Sequence, residues 1–154
     1  MASRTIKLFG DPLLRKKSAP VEVVDQGIKL LLKDLADTMY SIDNCGGLAA
    51  PQIGVLKRLL VIDMGCGLIQ MVNPRIIISE GRQKVVEGCM SIPNTYGLLE
   101  RPARVTVQGL NENGDQFTLR ASKDLAKCIC HEIDHLDGIL FTDLITEYVE
   151  LKMP

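Results

Sequence analysis

The chain has 154 residues, of which 46% are hydrophobic and 24% are charged, and its formal net charge is −1. This composition is ordinary for a globular domain, and the near-neutral charge gives no electrostatic reason to expect binding to nucleic acid or to an anionic membrane. The longest apolar runs are too short to cross a bilayer, and the first residues do not resemble a signal peptide. We therefore expect one cytoplasmic domain that spans residues 1–154.

The chain contains an odd number of cysteines and has no secretion signal, which argues against a disulfide framework. A cysteine that does not bind a metal ion is expected to act as a small, buried apolar residue. The five cysteines are Cys45, Cys66, Cys89, Cys128 and Cys130.

The first part of the chain predicts a short strand or extended arm at residues 6–8, followed by a turn and an amphipathic helix. Asp25 is the predicted N-cap of this helix, which should continue to about Ser41 or Ile42 and pack on a sheet. The apolar residues at helical spacing are Ile28, Leu31, Leu32, Leu35 and Met39.

The middle of the chain predicts mostly extended segments. Residues 48–52 are predicted to form a turn and an edge strand, Asn73-Pro74 should interrupt a strand, and residues 88–91 should form a loop. Asn113-Gly114 is typical of a hairpin turn. The predicted extended segments are 58–63, 68–72, 75–79, 83–87, 104–110 and 115–121.

A second helix is predicted over residues 123–137, with Ser122 as its N-cap and Gly138 ending it. Residues 139–141 are expected to return to the sheet, and the last residues are expected to fray. The predicted fold class is α+β: mostly antiparallel sheets packed around a central helix, with the earlier amphipathic helix near the N-terminus.

The predicted second helix carries His-Glu-x-x-His, and its His131 and His135 are the only histidines of the chain. Residues four apart lie on the same face of a helix, so both imidazoles can bind one metal ion. Glu132 follows the first histidine directly, where its carboxylate can reach a water molecule on that metal. The spacing therefore predicts a metal site at the centre of the helix.

Two ligands do not complete such a site, because catalytic zinc sites usually have three protein ligands. Glu147 and Glu150 are carboxylates downstream of the helix. Cys128 lies on the His131 face of the helix, although three ligands from one helix strain tetrahedral geometry. Cys89 follows a predicted strand, and thiolates are strong ligands for soft divalent ions. The residue types alone leave the third ligand open.

Three separated segments together resemble the peptide deformylases. Residues 47–52 read Gly-Leu-Ala-Ala-Pro-Gln, residues 87–91 read Glu-Gly-Cys-Met-Ser, and residues 131–135 read His-Glu-Ile-Asp-His. Their order and separations also fit that family, as does Gly-Asp-Pro at residues 10–12. Cys45, Met90 and Cys130 depart from the family pattern, which has glycine, leucine and glutamine at these positions.

The resemblance implies an enzyme that removes the N-formyl group from the terminal formylmethionine of newly made polypeptides and releases formate. It also implies one divalent metal ion, held by Cys89, His131 and His135, with Fe²⁺ as the native ion and Zn²⁺ or Ni²⁺ as alternatives. Glu132 would act as general base and acid. The side-chain amide of Gln52 and the backbone N–H of Met90 would stabilise the oxyanion.

The same resemblance implies that the substrate lies along Cys45, Gly46 and Gly47, and that apolar residues form a pocket for the methionine side chain. Lys127 is placed near the rim of this pocket, and Glu87 and Arg101 are expected to form an ion pair that braces the Cys89 loop. The expected pocket residues are Val85, Leu125 and Cys128.

The expected partners are N-formylmethionyl nascent peptides in the bacterial cytoplasm. We expect a monomer with transient ribosome contact, no specificity for nucleic acid and no membrane association. One alternative is a zinc endopeptidase that shares only His-Glu-x-x-His, although few residues follow His135 to supply its third ligand. The other is a structural zinc site, which would need a fourth protein ligand such as Cys128 or Cys130.

Overall fold

The computed structural model describes residues 3–151. Within this range it contains two α-helices, α1 (Gln26–Tyr40) and α2 (Lys123–Leu136), together with eight strands and three 3₁₀ helices. The strands are β1 (Gly47–Ala49), β2 (Leu59–Ile62), β3 (Ile69–Glu80), β4 (Gln83–Cys89), β5 (Ile92–Arg101), β6 (Arg104–Leu110), β7 (Gln116–Ser122) and β8 (Glu147–Tyr148). The 3₁₀ helices are Pro12–Arg15, Ala50–Ile53 and Phe141–Asp143.

The strands form two antiparallel sheets, one ordered β1-β2-β3-β6-β7 and the other β4-β5-β8. The larger sheet lies between the two helices. All four residues of its strand β2 are buried, and their side chains alternate between the two faces of the sheet. Leu60 and Ile62 pack in one apolar cluster with α2. Leu59 and Val61 pack in another with α1. The predicted α+β class, with mostly antiparallel sheets packed around a central helix, is confirmed.

Helix α1 begins as predicted, because the Asp25 side chain accepts a hydrogen bond from the Ile28 N–H at 3.0 Å. Its buried face includes Leu32 and Leu35, and these side chains pack against the sheet that carries β1. Helix α1 therefore supports β1, which begins at Gly47 of the predicted substrate-binding edge.

The start of α2 differs from the prediction, since Ser122 is the N-cap residue but its side chain makes no capping hydrogen bond. Lys123 has a left-handed backbone (φ +56°). Its N–H donates to the Ala103 carbonyl at 3.1 Å, and its own carbonyl accepts from the Gln83 side chain at 2.9 Å. Tertiary hydrogen bonds therefore fix the start of this helix.

The structure corrects the predictions for two strands and for the segment that follows α2. Strand β5 was not predicted, and it pairs with both β4 and β8. Strand β3 runs through Asn73-Pro74 with a shift in register, which the left-handed Asn73 (φ +52°) allows. Residues 139–141 do not return to a sheet, because a 3₁₀ helix follows at Phe141–Asp143.

The first and last parts of the described range contact the rest of the fold. Residues 6–8 form an extended arm and not a strand. Near the other end, where fraying was expected, Glu147 and Tyr148 pair with β5, while residues 152–154 lie outside the described part. No helix within residues 3–151 has the length and apolar character needed to cross a membrane.

Candidate active site

Cys89, His131 and His135 come together between the end of β4 and the middle of α2. The Cys89 Sγ lies 3.3 Å from His135 Nε2, and one ligand atom from each of the three residues lies within 4.8 Å of the others. Within residues 3–151 this is the one cluster of potential ligands of this kind. The geometry favours Cys89 over Cys128 as the third ligand, since the Cys128 thiol instead faces the Gly46 carbonyl at 3.8 Å.

A buried network of charges orients His131. Its Nδ1 lies 2.8 Å from the Glu87 carboxylate, and Arg101 donates two hydrogen bonds to the same carboxylate at 2.7 and 2.8 Å. Arg101 also donates to Asp134 at 2.6 Å. Because Glu87 accepts from Nδ1, Nε2 of His131 is left for a metal. The expected Glu87–Arg101 ion pair is present, and Glu87 also has the role of orienting His131.

The pKa values of this network follow from burial and charge pairing. Burial by itself would raise the pKa of Glu87, but hydrogen bonds from Arg101 and His131 outweigh it and lower the pKa to about 2. Burial lowers the pKa of His135 well below its ordinary value, and the neighbouring His131 adds to the effect. Glu87 is therefore ionised and His135 neutral at pH 7, and a neutral imidazole can bind a metal ion.

Glu132 lies beside the three ligands with its carboxylate in a confined space. The side chain is 4% exposed, and its Oε1 has no hydrogen-bond partner among the described residues. A Cβ added at Gly47 would lie 2.9 Å from Glu132 Oε2, so the carboxylate requires glycine there. Burial raises the pKa of Glu132 to about 7, whereas a divalent cation beside it would favour the ionised form.

The Gln52 side chain is held in one orientation. Its Oε1 accepts from the Ala49 N–H at 3.0 Å, and its Nε2 donates to the Ser91 hydroxyl at 3.1 Å and lies 3.7 Å from the Cys89 Sγ. The amide N–H groups therefore face Cys89 and Ser91. Sequence reasoning missed Ser91, because a buried serine between two loops has no signature of spacing or charge.

A cleft of about 530 Å³ opens in front of Glu132. The sequence-predicted residues Cys45, Gly46, Gly47, Met90 and Cys128 all line it, together with Lys127. Val85 and Leu125 do not line the cleft. Leu125 instead packs against the apolar cluster between α2 and the large sheet. The prediction that Val85 and Leu125 form the methionine pocket is therefore wrong.

The part of the cleft next to Gly46 was not predicted. A Cβ at Gly46 would lie 2.7 Å from the Met64 Sδ, so Met64 fills the space that a side chain at position 46 would occupy. Met64, Asp63 and Tyr40 all line the cleft, and the Tyr40 hydroxyl donates to Asp63 at 2.7 Å. Tyr40 ends α1, whereas Asp63 and Met64 directly follow β2, and no sequence pattern connects these two places in the chain.

Cys45 and Cys128 also line the cleft, in surroundings that favour the protonated thiol. Burial raises the pKa of Cys45 to about 11, with the Glu132 carboxylate adding to the effect. Burial also raises the pKa of Cys128 well above its ordinary value. Both thiols are therefore protonated at neutral pH, and a protonated thiol is a poor metal ligand.

The residues present fit a divalent transition-metal ion. One cysteine and two histidines are the donor types that Zn²⁺ and Fe²⁺ accept in proteins, and the unpartnered Glu132 oxygen is suited to accept a proton. A metal centre with an adjacent carboxylate, an oriented amide and an open cleft defines the class of metal-dependent hydrolases.

Comparisons with known proteins identify the family. Residues 3–150 match the model of polypeptide deformylase. Peptide deformylase 2 of Clostridium acetobutylicum is 59% identical over 150 residues, covering 97% of this chain and 100% of that protein. The crystal structure of the Thermotoga maritima peptide deformylase has a TM-score of 0.92 at 35% identity, covering 96% of this chain and 100% of that one. A peptide deformylase from Synechococcus elongatus in complex with actinonin has a TM-score of 0.91 at 38% identity, covering 96% and 81%.

The chain therefore belongs to the polypeptide deformylase family. It is a metal-dependent hydrolase that removes the N-formyl group from newly made polypeptides. The comparisons favour this function over the endopeptidase and structural-zinc alternatives.

Proposed function

We propose that Cys89, His131 and His135 hold one divalent metal ion, with Fe²⁺ as the native ion and Zn²⁺ or Ni²⁺ as replacements. The observation that carries this proposal is the cluster of three ligand atoms within 4.8 Å of one another, beside the unpartnered Glu132 carboxylate. When bound, the ion supplies Lewis-acid chemistry and makes a water molecule more acidic.

Glu132 is the general base and acid of the reaction. Its carboxylate takes a proton from the attacking water and delivers that proton to the amine of the departing methionine. The free Oε1 supports this role, because no described residue competes for it. Gly47 leaves the space that the carboxylate needs.

Gln52 and Met90 stabilise the negative charge that develops on the formyl oxygen. The Gln52 amide is held with Nε2 towards Cys89, and Met90 lines the same cleft immediately after Cys89, where its backbone N–H is the second donor. Donors that are oriented before the reaction begins need no rearrangement during it, which is the source of their catalytic effect.

The N-formylmethionyl peptide lies along the edge formed by Cys45, Gly46 and Gly47. Strand β1 is at the edge of the large sheet, which suits an extended peptide. Cys128 contacts the methionine side chain from the floor of the cleft, while Val85 and Leu125 take no part. Lys127 places a positive charge at the rim.

Residues 1–154 form a single catalytic domain that works as a monomer in the bacterial cytoplasm and contacts the ribosome transiently. The family match over residues 3–150 supports the single domain. The bacterial relatives support the cellular setting. Because newly made polypeptides are the substrate, transient contact with the ribosome is expected.

The test is formate release from formyl-Met-Ala-Ser by protein purified without oxygen, with its metal content measured in the same sample. We expect formate release that a chelator abolishes, and metal analysis that finds iron. Glu132→Gln should keep the metal and lose activity by about 10²- to 10⁴-fold, the usual contribution of general acid–base catalysis. Metal-loaded protein that releases no formate, or a fully active Glu132→Gln variant, would overturn the proposal.

A further inference from the structure

The extended residues 6–8 and Phe9, the first residue of the following turn, together form an arm that joins two loops. One loop connects β1 to β2 and contains Gln52, and the other connects β4 to β5 and contains Met90. The Lys7 N–H donates to the Gln52 carbonyl at 2.7 Å, and the Phe9 N–H donates to the Ser91 carbonyl at 2.8 Å. Gln52 carries one donor on its side chain, and Met90, with the other donor, directly precedes Ser91. The arm is therefore hydrogen-bonded to one loop at each end.

The arm is itself anchored on both sides. Ile6 packs against the apolar cluster between α1 and the large sheet. Beyond the arm, the Asp11 N–H donates to the Leu8 carbonyl at 3.0 Å, and Leu14, 1% exposed, packs with Phe141 in a separate cluster. Packing in these two apolar clusters, together with the Asp11 hydrogen bond, therefore fixes the position of the Lys7 and Phe9 N–H groups.

A second connection between the same loops lies on the cleft side, where Gln52 Nε2 donates to the Ser91 hydroxyl at 3.1 Å. The side chains of Gln52 and Ser91 are thus linked to each other, while their backbones are linked through the arm. Two independent connections fix the distance between the loops. This matters because a misplacement of about 1 Å at a catalytic group can cost about 10²-fold in rate.

We propose that the arm is a positioning element for the deformylation reaction. Its Lys7 and Phe9 N–H groups hold the backbones of Gln52 and Ser91, so that Gln52 Nε2 and the Met90 N–H converge on the formyl oxygen. This inference rests on the proposed roles of Gln52 and Met90 as oxyanion donors.

Replacing single backbone amides with esters tests the arm without changing any side chain. Cys45 allows a synthetic segment of residues 1–44 to be joined to a recombinant segment of residues 45–154 by native chemical ligation. An ester at Lys7 removes the donor to Gln52, and an ester at Phe9 removes the donor to Ser91. An ester at Lys29 is the matched control, because it removes the hydrogen bond from the Lys29 N–H to the Asp25 carbonyl in the first turn of α1 and touches neither the arm nor its anchors.

We expect each arm ester to lower kcat about three- to tenfold, the loss that follows from one hydrogen bond, with KM and metal content unchanged. The Lys29 ester should keep the kcat of the ligated native sequence. In a Gln52→Leu background the Lys7 ester should lower kcat no further, because the donor that it positions is already gone.

Equal kcat losses from the Phe9 and Lys29 esters would overturn the inference, since the arm would then contribute only to stability, as any other backbone hydrogen bond does. A Lys7 ester whose effect is fully additive with Gln52→Leu would also overturn it. The proposed function is judged separately: Gln52→Leu alone should lose about 10²- to 10³-fold in kcat. If it does and the Lys7 ester has no effect, only the arm inference fails; if Gln52→Leu keeps its kcat, the role of Gln52 fails.

Discussion

His131 and His135 lie one turn apart on α2 and face the same thiol, but the protein orients them in different ways. His131 is hydrogen-bonded through Nδ1 to Glu87, which Arg101 holds in turn. The Nδ1 of His135 is buried and has no hydrogen-bond partner among the described residues. One proposed ligand is therefore oriented by a network of charges, and the other by the helix and its packing.

The difference shows what the charged network does for the site. A carboxylate on Nδ1 fixes both the tautomer and the ring orientation of a histidine ligand. The side chains of Glu87 and Arg101 are only 3% and 4% exposed, so the network requires the burial of charges that are stable only as a pair. Changes in the network should therefore act on stability and on His131, and leave His135 in place.

The largest effect is expected from Arg101→Ala, which leaves the Glu87 carboxylate buried without its cation. We expect a loss of about 3–5 kcal/mol in the free energy of unfolding, the usual result of removing one partner of a buried pair. Urea denaturation measures it. Arg15→Ala is the control, because Arg15 and Asp143 are 46% and 36% exposed, and such pairs contribute about 0–1 kcal/mol. Similar losses in both variants would contradict the importance of the buried network.

A smaller effect, confined to one ligand, is expected from Glu87→Gln. This change weakens the acceptor for His131 Nδ1, and metal affinity should fall about 10- to 100-fold, as is usual for groups that orient metal ligands. Competition with a chelator measures the affinity. In zinc-loaded protein, the NMR signal of the His131 Nδ1 proton should shift or exchange faster while the His135 signals stay in place.

Glu100→Gln makes the same chemical change at an exposed position of β5 and should leave metal affinity unchanged. If both histidines of the Glu87→Gln variant change together in the NMR spectrum, the two ligands are not oriented independently, and the comparison between them fails.

Local patterns predicted those parts of the fold that depend on neighbouring residues. Helical spacing predicted α1 and α2, and Asp25 caps α1 as expected. Strand β5 was missed because Pro93 and the left-handed Asn94 (φ +59°) are typical of a loop. Its extended backbone is stabilised by β4 on one side and β8 on the other. Those partners are set by the tertiary fold, which no local pattern reveals.

The candidate site likewise contains residues that local patterns predicted and residues that they did not. The spacing of His131 and His135 predicted two ligands without any other information, since both lie on one helix. Cys89 needed the family resemblance, because it is far from the histidines in sequence. Ser91 and Met64 were missed, since a buried hydroxyl and an exposed thioether acquire their roles only through the geometry of Gln52 and Gly46.

The smallest effect is expected from Asp134→Asn, at the outer end of the network. Asp134 is 22% exposed, and burial raises its pKa despite the hydrogen bond from Arg101, so its ionised form gains little from the site. Arg101 keeps both hydrogen bonds to Glu87 in this variant. We therefore expect a loss of about 1 kcal/mol or less in the free energy of unfolding and no change in metal affinity. A destabilisation as large as that of Arg101→Ala would mean that Arg101 depends on Asp134 as much as on Glu87. The partly exposed Asp134 would then also be needed to orient His131, through Arg101 and Glu87.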